Sequence, residues 1–102
     1  MIIRRVVYAP EAEVDLLMLY DDVADAASSL VAMRYLNRLE AWLARFSTAS
    51  ERGTRRDDIR PGLRTIGFER RITVAFTVSG DEVVIQRVFY GGQNWGEDPA
   101  GI

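Results

Sequence analysis

Hydrophobic residues in the second half of the chain recur at the two-residue period of β-strands. Three apolar segments, at residues 62–68, 72–78 and 82–90, are separated by short polar turns at residues 69–71 and 79–81. The second turn contains a Gly-Asp pair. This pair favours a tight connection, because glycine adopts positive φ at low cost and aspartate bonds to its own backbone. The pattern predicts a three-stranded antiparallel meander.

The alternation within these segments also predicts which side chains share a face. In the middle strand, the core face carries Ile72, Val74, Phe76 and Val78. In the last strand, one side carries Val83, Ile85, Arg87 and Phe89, and the other carries Val84, Gln86, Val88 and Tyr90. Because both sides are largely apolar, the last strand is expected to be central.

The first half of the chain follows the 3.6-residue period of helices. After a short strand at residues 2–8, Pro10 suits the first position of a helix because its fixed φ is helical. The core-facing positions of this helix are Ala12, Leu16, Leu19, Tyr20 and Val23. Either Ser28 or Ser29 can cap a second helix that runs to about Phe46. The link between the helices is short, which predicts an antiparallel helical hairpin.

The remaining segments complete an α+β prediction for one domain. The second helix has an apolar seam at Ala32, Leu36, Leu39, Leu43 and Phe46. Residues 47–61 are polar and rich in arginine, which predicts a loop. The expected order is an N-terminal strand, the helical hairpin and the meander, with the helices on one face of the sheet. A chain of 102 residues is one domain, here residues 1–96, and residues 97–102 are expected to form a tail.

The amino-acid composition restricts the chemistry that the protein can perform more than it restricts the fold. Histidine, cysteine and lysine are absent, and all 13 basic residues are arginine. The commonest general base, metal ligand and nucleophiles are therefore missing, and neither a metal nor a cofactor is expected. The carboxylates of Asp21, Asp22 and Asp25 have no histidine or cysteine nearby in sequence, which indicates a solvated face. No apolar run reaches the roughly 18 residues of a membrane span. A cytoplasmic protein without membrane contact is expected.

Arginines near the predicted sheet are the most informative charges. Arg87 lies between Ile85 and Phe89, and a buried arginine is costly unless it is paired. Arg87 either forms an ion pair with a carboxylate of this chain or binds a ligand. Together with Arg64, Arg70, Arg71 and Tyr90, it could bind RNA phosphates and stabilise developing charge. The same arginines could instead pair with an acidic protein partner.

The order of elements and several short motifs resemble the ParE/RelE superfamily of toxins from type II toxin–antitoxin modules, and ParE most closely. The motifs are the segments 6–12, 15–16 and 62–64, Tyr20, the Arg70-Arg71 pair with Phe76 and Val78, the segment 85–88, and the ending Phe89-Tyr90-Gly91-Gly92-Gln93-Asn94-Trp95. The chain departs from the superfamily pattern at Ala9, where Ser or Thr is common, and at Thr77, where Arg is common. Where RelE-type nucleases often carry Lys or Arg, this chain has Gly92-Gln93, which favours ParE.

The resemblance implies a non-enzymatic toxin that poisons DNA gyrase, arrests growth and serves plasmid stabilisation. It also implies neutralisation by a ParD-like antitoxin and no sequence-specific DNA binding by this chain. The residues implied for antitoxin binding are Val14, Leu17, Met18, Arg64, Arg71 and Arg87. Those implied for target binding are Tyr90, Gln93, Asn94 and Trp95. The alternative is a RelE-like ribosome-dependent mRNA endonuclease that uses Arg64, Arg71, Arg87 and Tyr90.

Overall fold

The computed structural model describes residues 3–91 and has the predicted α+β architecture. In chain order its elements are β1 (Arg5–Tyr8), α1 (Pro10–Ala26), α2 (Ser29–Ala44), a short 3₁₀ helix (Arg45–Ser47), β2 (Thr54–Arg55), β3 (Leu63–Phe68), β4 (Ile72–Ser79) and β5 (Glu82–Tyr90). Within the described part of the chain, no helix is both long and apolar enough to cross a membrane.

A single five-stranded sheet has the order β1-β5-β4-β3-β2. The three strands β3, β4 and β5 form the predicted antiparallel meander. Strand β1 lies parallel to β5, from the pair Arg5–Glu82 to the pair Tyr8–Ile85. The first and last strands of the chain are therefore neighbours, and β5 is an interior strand over the half that β1 covers.

Residues 47–61, predicted to be a loop, contain a short strand. Thr54 and Arg55 of β2 pair with Thr65 and Arg64 of β3. Gly53 permits this approach, because a β-carbon there would lie 2.3 Å from the carbonyl oxygen of Thr65. The second helix also ends earlier than predicted, at Ala44, and continues as the 3₁₀ helix. A two-residue strand is too short to show a period in the sequence, so the pattern could not reveal it.

Both helices are formed and packed largely as their patterns predict. Of the two capping candidates, Ser28 is the one used, and its Oγ accepts a hydrogen bond from the N–H of Val31 at 3.1 Å. The buried helix residues are Ala12, Leu19, Val23, Ala32, Leu39 and Leu43. Phe46 follows them into the core and meets Phe76 of β4 with ring centroids 5.0 Å apart. The helices and one face of the sheet therefore share one hydrophobic core.

The predicted alternation of the last strand is wrong beyond residue 86. Ala75 pairs with Arg87, whereas the next residue, Phe76, pairs with Ile85, so Gln86 is an extra residue in β5. Such a β-bulge shifts the alternation by one position. As a result Val88 joins the core that contains Ile85, although the sequence pattern placed these two on opposite sides. The list of core residues from this strand is Val83, Ile85 and Val88, with Tyr90 packed against them.

Candidate functional site

The carboxylate of Asp15 joins helix α1 to strand β5. Its Oδ2 accepts a hydrogen bond from Arg87 Nε at 2.7 Å, and its Oδ1 accepts one from Arg87 Nη2 at 3.1 Å. The N–H of Val88 also donates to Oδ2 at 2.9 Å. Of the two alternatives predicted for Arg87, the structure therefore shows pairing with a carboxylate of the fold.

The sequence did not lead us to Asp15 as the partner of Arg87, although its position in the helical pattern indicated burial. Asp15 follows Ala12 by three residues and precedes Leu19 by four, so it lies on the packed side of α1. Its side chain is 11% exposed and that of Arg87 is 21% exposed. The guanidinium of Arg87 also lies 4.7 Å from the ring centroid of Phe89. These contacts hold Arg87 in the fold, and its predicted role toward a partner stays a prediction.

Arg64 lies far along the sheet from Arg71 and Tyr90. Arg64 pairs with Phe76, whereas Arg71 immediately precedes Ile72, which pairs with Tyr90. Four residues of strand separate these positions by roughly 13 Å. The structure thus brings Arg71 and Tyr90 together at one end of the sheet and places Arg64 toward the other.

Arg71 and Tyr90 neighbour an aromatic and charged cluster on α2 and the β3–β4 turn. Arg38 of α2 donates to both carboxylate oxygens of Glu69, each at 3.0 Å. This fork holds the pKa of Glu69 below its ordinary value. Burial, followed by the nearby Glu69 and Tyr90, raises the pKa of Tyr35, and the charges of Arg38 and Arg71 oppose that shift. The end of the sheet therefore offers aromatic rings and guanidinium groups side by side.

Helix α1 presents an apolar stripe to solvent. Val14, Leu17 and Met18 are 53%, 68% and 59% exposed, and Leu17 and Met18 follow Val14 by three and four residues. The same helix carries six acidic residues and no basic one. Its outer surface is therefore an apolar strip flanked by carboxylates.

A small pocket connects this stripe to the end of β5. Its volume is about 70 Å³, and its lining is Asp15, Met18, Leu19, Asp22, Val88 and Tyr90. Met18 belongs to the stripe and Tyr90 to the predicted target-binding set, so the two predicted surfaces meet here. The other predicted target residues, Gln93, Asn94 and Trp95, lie outside the described residues.

Sequence reasoning missed a second group of exposed apolar side chains, at the start of α2. Leu30, Val31 and Met33 are 56%, 44% and 54% exposed. None of them belongs to the apolar seam that begins at Ala32. Apolar residues outside that seam could have predicted this exposed group from the sequence. Among residues 3–91, no group of three or more Asp, Glu, His or Cys side chains could hold a metal ion.

Comparisons with known proteins agree with this fold. Residues 6–95 match the family model described as the ParE toxin of the type II toxin–antitoxin system parDE. The chain is 34% identical to Toxin ParE3 of Caulobacter vibrioides over 90 residues, which are 88% of this chain and 89% of that protein. A solved structure, titled "Chromosomal ParDE TA system from P. aeruginosa", has the same fold. Its TM-score is 0.76 at 22% identity, over 87% of this chain and 97% of that one.

Proposed function

The chain belongs to the ParE toxin family of type II toxin–antitoxin systems, and we propose that it inhibits DNA gyrase and is neutralised by a ParD-like antitoxin. Release from the antitoxin then arrests growth, which is the basis of plasmid stabilisation. The toxin acts in the cytoplasm, where gyrase and DNA are. The observation that carries the antitoxin part is the exposed stripe of Val14, Leu17 and Met18.

The stripe suits an amphipathic helix of the antitoxin. Val14 and, one turn later, the adjacent Leu17 and Met18 form the apolar pattern against which such a helix packs. Burying one such side chain contributes about 1.5–3 kcal/mol. Because an exposed apolar strip is otherwise unfavourable in water, a partner that covers it is expected. Arg64 and Arg71 then meet acidic side chains of the same antitoxin, as complementary charges favour correct association.

A non-enzymatic action is supported by the arrangement of the arginines. The four residues that a nuclease would use are Arg64, Arg71, Arg87 and Tyr90. Arg87 is paired with Asp15, and Arg64 is roughly 13 Å along the sheet from Arg71 and Tyr90. Together with the absence of histidine, cysteine and lysine, this separation favours binding of a target over cleavage of RNA. Neither a cofactor nor a metal is needed for such binding.

Gyrase is proposed to contact the end of β5 and the residues that follow it. Tyr90 lines the pocket beside α1, and Gln93, Asn94 and Trp95 come next in the chain. Tyrosine and tryptophan are favoured anchors at protein interfaces. Since the pocket also contains Met18 of the stripe, an antitoxin bound to α1 would cover part of the gyrase surface. Neutralisation by direct occlusion follows from that overlap.

The decisive experiment measures supercoiling by purified gyrase in the presence of this protein, alongside ribosome-dependent cleavage of mRNA. We expect inhibited supercoiling, trapped cleaved DNA and intact mRNA, with activity restored when the antitoxin is added. Tyr90→Ala should weaken the inhibition, and Arg34→Ala, at an exposed position of α2, should not. Cleaved mRNA with unaffected gyrase would establish the RelE-like alternative instead.

A further inference from the structure

A second cleft of about 290 Å³ shares no residue with the pocket beside α1. Its lining includes Arg4, Glu51, Arg55, Gly62, Arg64 and Val78. Three guanidinium-bearing side chains therefore come to one cleft from three separate segments of the chain: the residue before β1, strand β2 and strand β3. Of these three arginines the proposed toxin function uses Arg64 alone, so it does not explain why Arg4 and Arg55 converge on the same cleft.

Two of these arginines face each other directly across the sheet. Arg55 of β2 and Arg64 of β3 are register partners, so their side chains leave the same face. Like charges placed directly opposite each other are destabilising. Asp57 compensates the charge of Arg55, because its carboxylate accepts hydrogen bonds from Arg55 Nε and Nη2 at 3.1 and 3.3 Å.

Within the described residues, the positive charge of Arg64 is not compensated by a carboxylate in this way. Arg64 is partly buried, and its Nη1 makes a long hydrogen bond, 3.4 Å, to the carbonyl oxygen of Arg52. No carboxylate among residues 3–91 lies within ion-pair distance of it. Its charge nevertheless reaches Asp57, whose pKa is lowered by the N–H of Gly62, by Arg55 and, more weakly, by Arg64. A partly desolvated guanidinium without an ion pair is costly, and an anionic ligand would remove that cost.

Arg4 brings a further guanidinium to the cleft. Its Nε donates to the carbonyl oxygen of Gly80 at 2.9 Å, and its backbone N–H donates to Ser47 at 2.8 Å. The first of these bonds holds the side chain against the β4–β5 turn. The space beside Gly62 is open, since an added β-carbon there would meet no atom within 4 Å.

We propose that this cleft is a phosphate-binding site. A phosphate presents three strong acceptor oxygens, enough to meet guanidinium groups arriving from three directions, whereas a carboxylate presents two. The cleft volume of about 290 Å³ is several times the roughly 30 Å³ share of one water molecule. It therefore accommodates a phosphate ester of a larger molecule. Arg64 and Arg4 are the main ligands, and Glu51 weakens binding by repulsion.

Titration calorimetry with inorganic phosphate tests the proposal, at ionic strength held constant with chloride. We expect saturable binding that weakens about tenfold or more in Arg64→Gln, as for loss of one charge-assisted contact. Glu51→Gln should bind more tightly, because it removes the repelling carboxylate. Arg34→Gln, a change of equal charge at an exposed site of α2, should leave the affinity unchanged. If Arg64→Gln does not fold, Arg4→Gln provides the same test.

Three outcomes would overturn the proposal. The first is that phosphate gives no saturable binding, and the second is that Arg64→Gln, Arg4→Gln and Arg34→Gln weaken it equally. The third is that acetate and citrate bind as tightly as phosphate. The second would mean general screening of charge, and the third would mean a carboxylate site. The supercoiling assay is independent of all three, so loss of phosphate binding and failure of the gyrase proposal are separately detectable.

Discussion

Asp15 occupies the position beside β5 that a longer β1 would have filled. Strand β1 ends at Tyr8, and the N–H of Ala9 makes the next edge contact, to the carbonyl oxygen of Ile85 at 2.9 Å. Beyond it the N–H of Val88 is satisfied by the Asp15 carboxylate, which also binds Arg87. One side chain of α1 thus completes a sheet edge and neutralises a partly buried cation.

Replacement of Asp15 by alanine should therefore be strongly destabilising. It leaves the Arg87 guanidinium and the Val88 N–H without this acceptor, and breaking a buried pair by removing one partner costs about 3 kcal/mol. Urea unfolding measures the loss. Asp25→Ala, at an exposed position of the same helix, should change the free energy of unfolding by about 0.5 kcal/mol or less. Equal costs for the two variants would show that the pair does not hold the fold.

The β3–β4 turn contains strain that a single substitution should relieve. Glu69 and Arg70 have φ values of 48° and 68°, the left-handed conformation that favours glycine or asparagine. Arg70→Gly should raise the free energy of unfolding by about 1 kcal/mol. Arg70→Ala removes the same side chain but keeps the β-carbon, so it should give no gain. A gain of equal size in Arg70→Ala would locate the effect in the side chain and not in the backbone.

The order of elements could be predicted because each depends on a local period. The helical seams through Leu19 and Leu39 and the alternation around Phe76 recur over many residues, and burial in the structure follows them. The bulge at Gln86 could not be predicted, because β5 is apolar on both sides and an inserted residue leaves no break in its pattern. The parallel pairing of β1 with β5 was likewise invisible, since nothing local specifies which strands become neighbours.

The candidate site was predictable only where it depends on excess local hydrophobicity. Leu17 and Met18 exceed what one packing face of α1 needs, and the structure leaves them exposed. By contrast, Asp15 and Arg87 are 72 positions apart, and their pairing depends on how α1 crosses β5. The meeting of Arg55 with Arg64 depends in the same way on a strand too short to show a pattern.

A substitution in the apolar stripe of α1 should weaken antitoxin binding without destabilising the fold. Leu17→Glu places a charge where an apolar antitoxin side chain would pack, and it should weaken antitoxin binding by about 2 kcal/mol or more, as at an interface hot spot. Because Leu17 is 68% exposed, the unfolding temperature should change little. Calorimetric titration with the cognate antitoxin measures the affinity.

Leu30→Glu is the matched control, since Leu30 is a similarly exposed leucine on α2. It should leave the antitoxin affinity near that of the unmodified protein. If Leu30→Glu weakens binding as much as Leu17→Glu, the antitoxin covers both helices, and the assignment of the interface to α1 is wrong.

The Arg38–Glu69 fork predicts a pH dependence of defined sign. The pKa of Glu69 lies below its ordinary value of 4.5 because Arg38 binds the charged form. A group with a depressed folded-state pKa stabilises the fold above its unfolded pKa, and this contribution is lost as the pH falls through the folded pKa. Unfolding free energies between about pH 6 and pH 3 should therefore fall less steeply in Arg38→Gln than in the unmodified protein. In that variant, an NMR titration should find the pKa of Glu69 shifted back toward 4.5. An unchanged pKa would mean that the fork does not persist in solution.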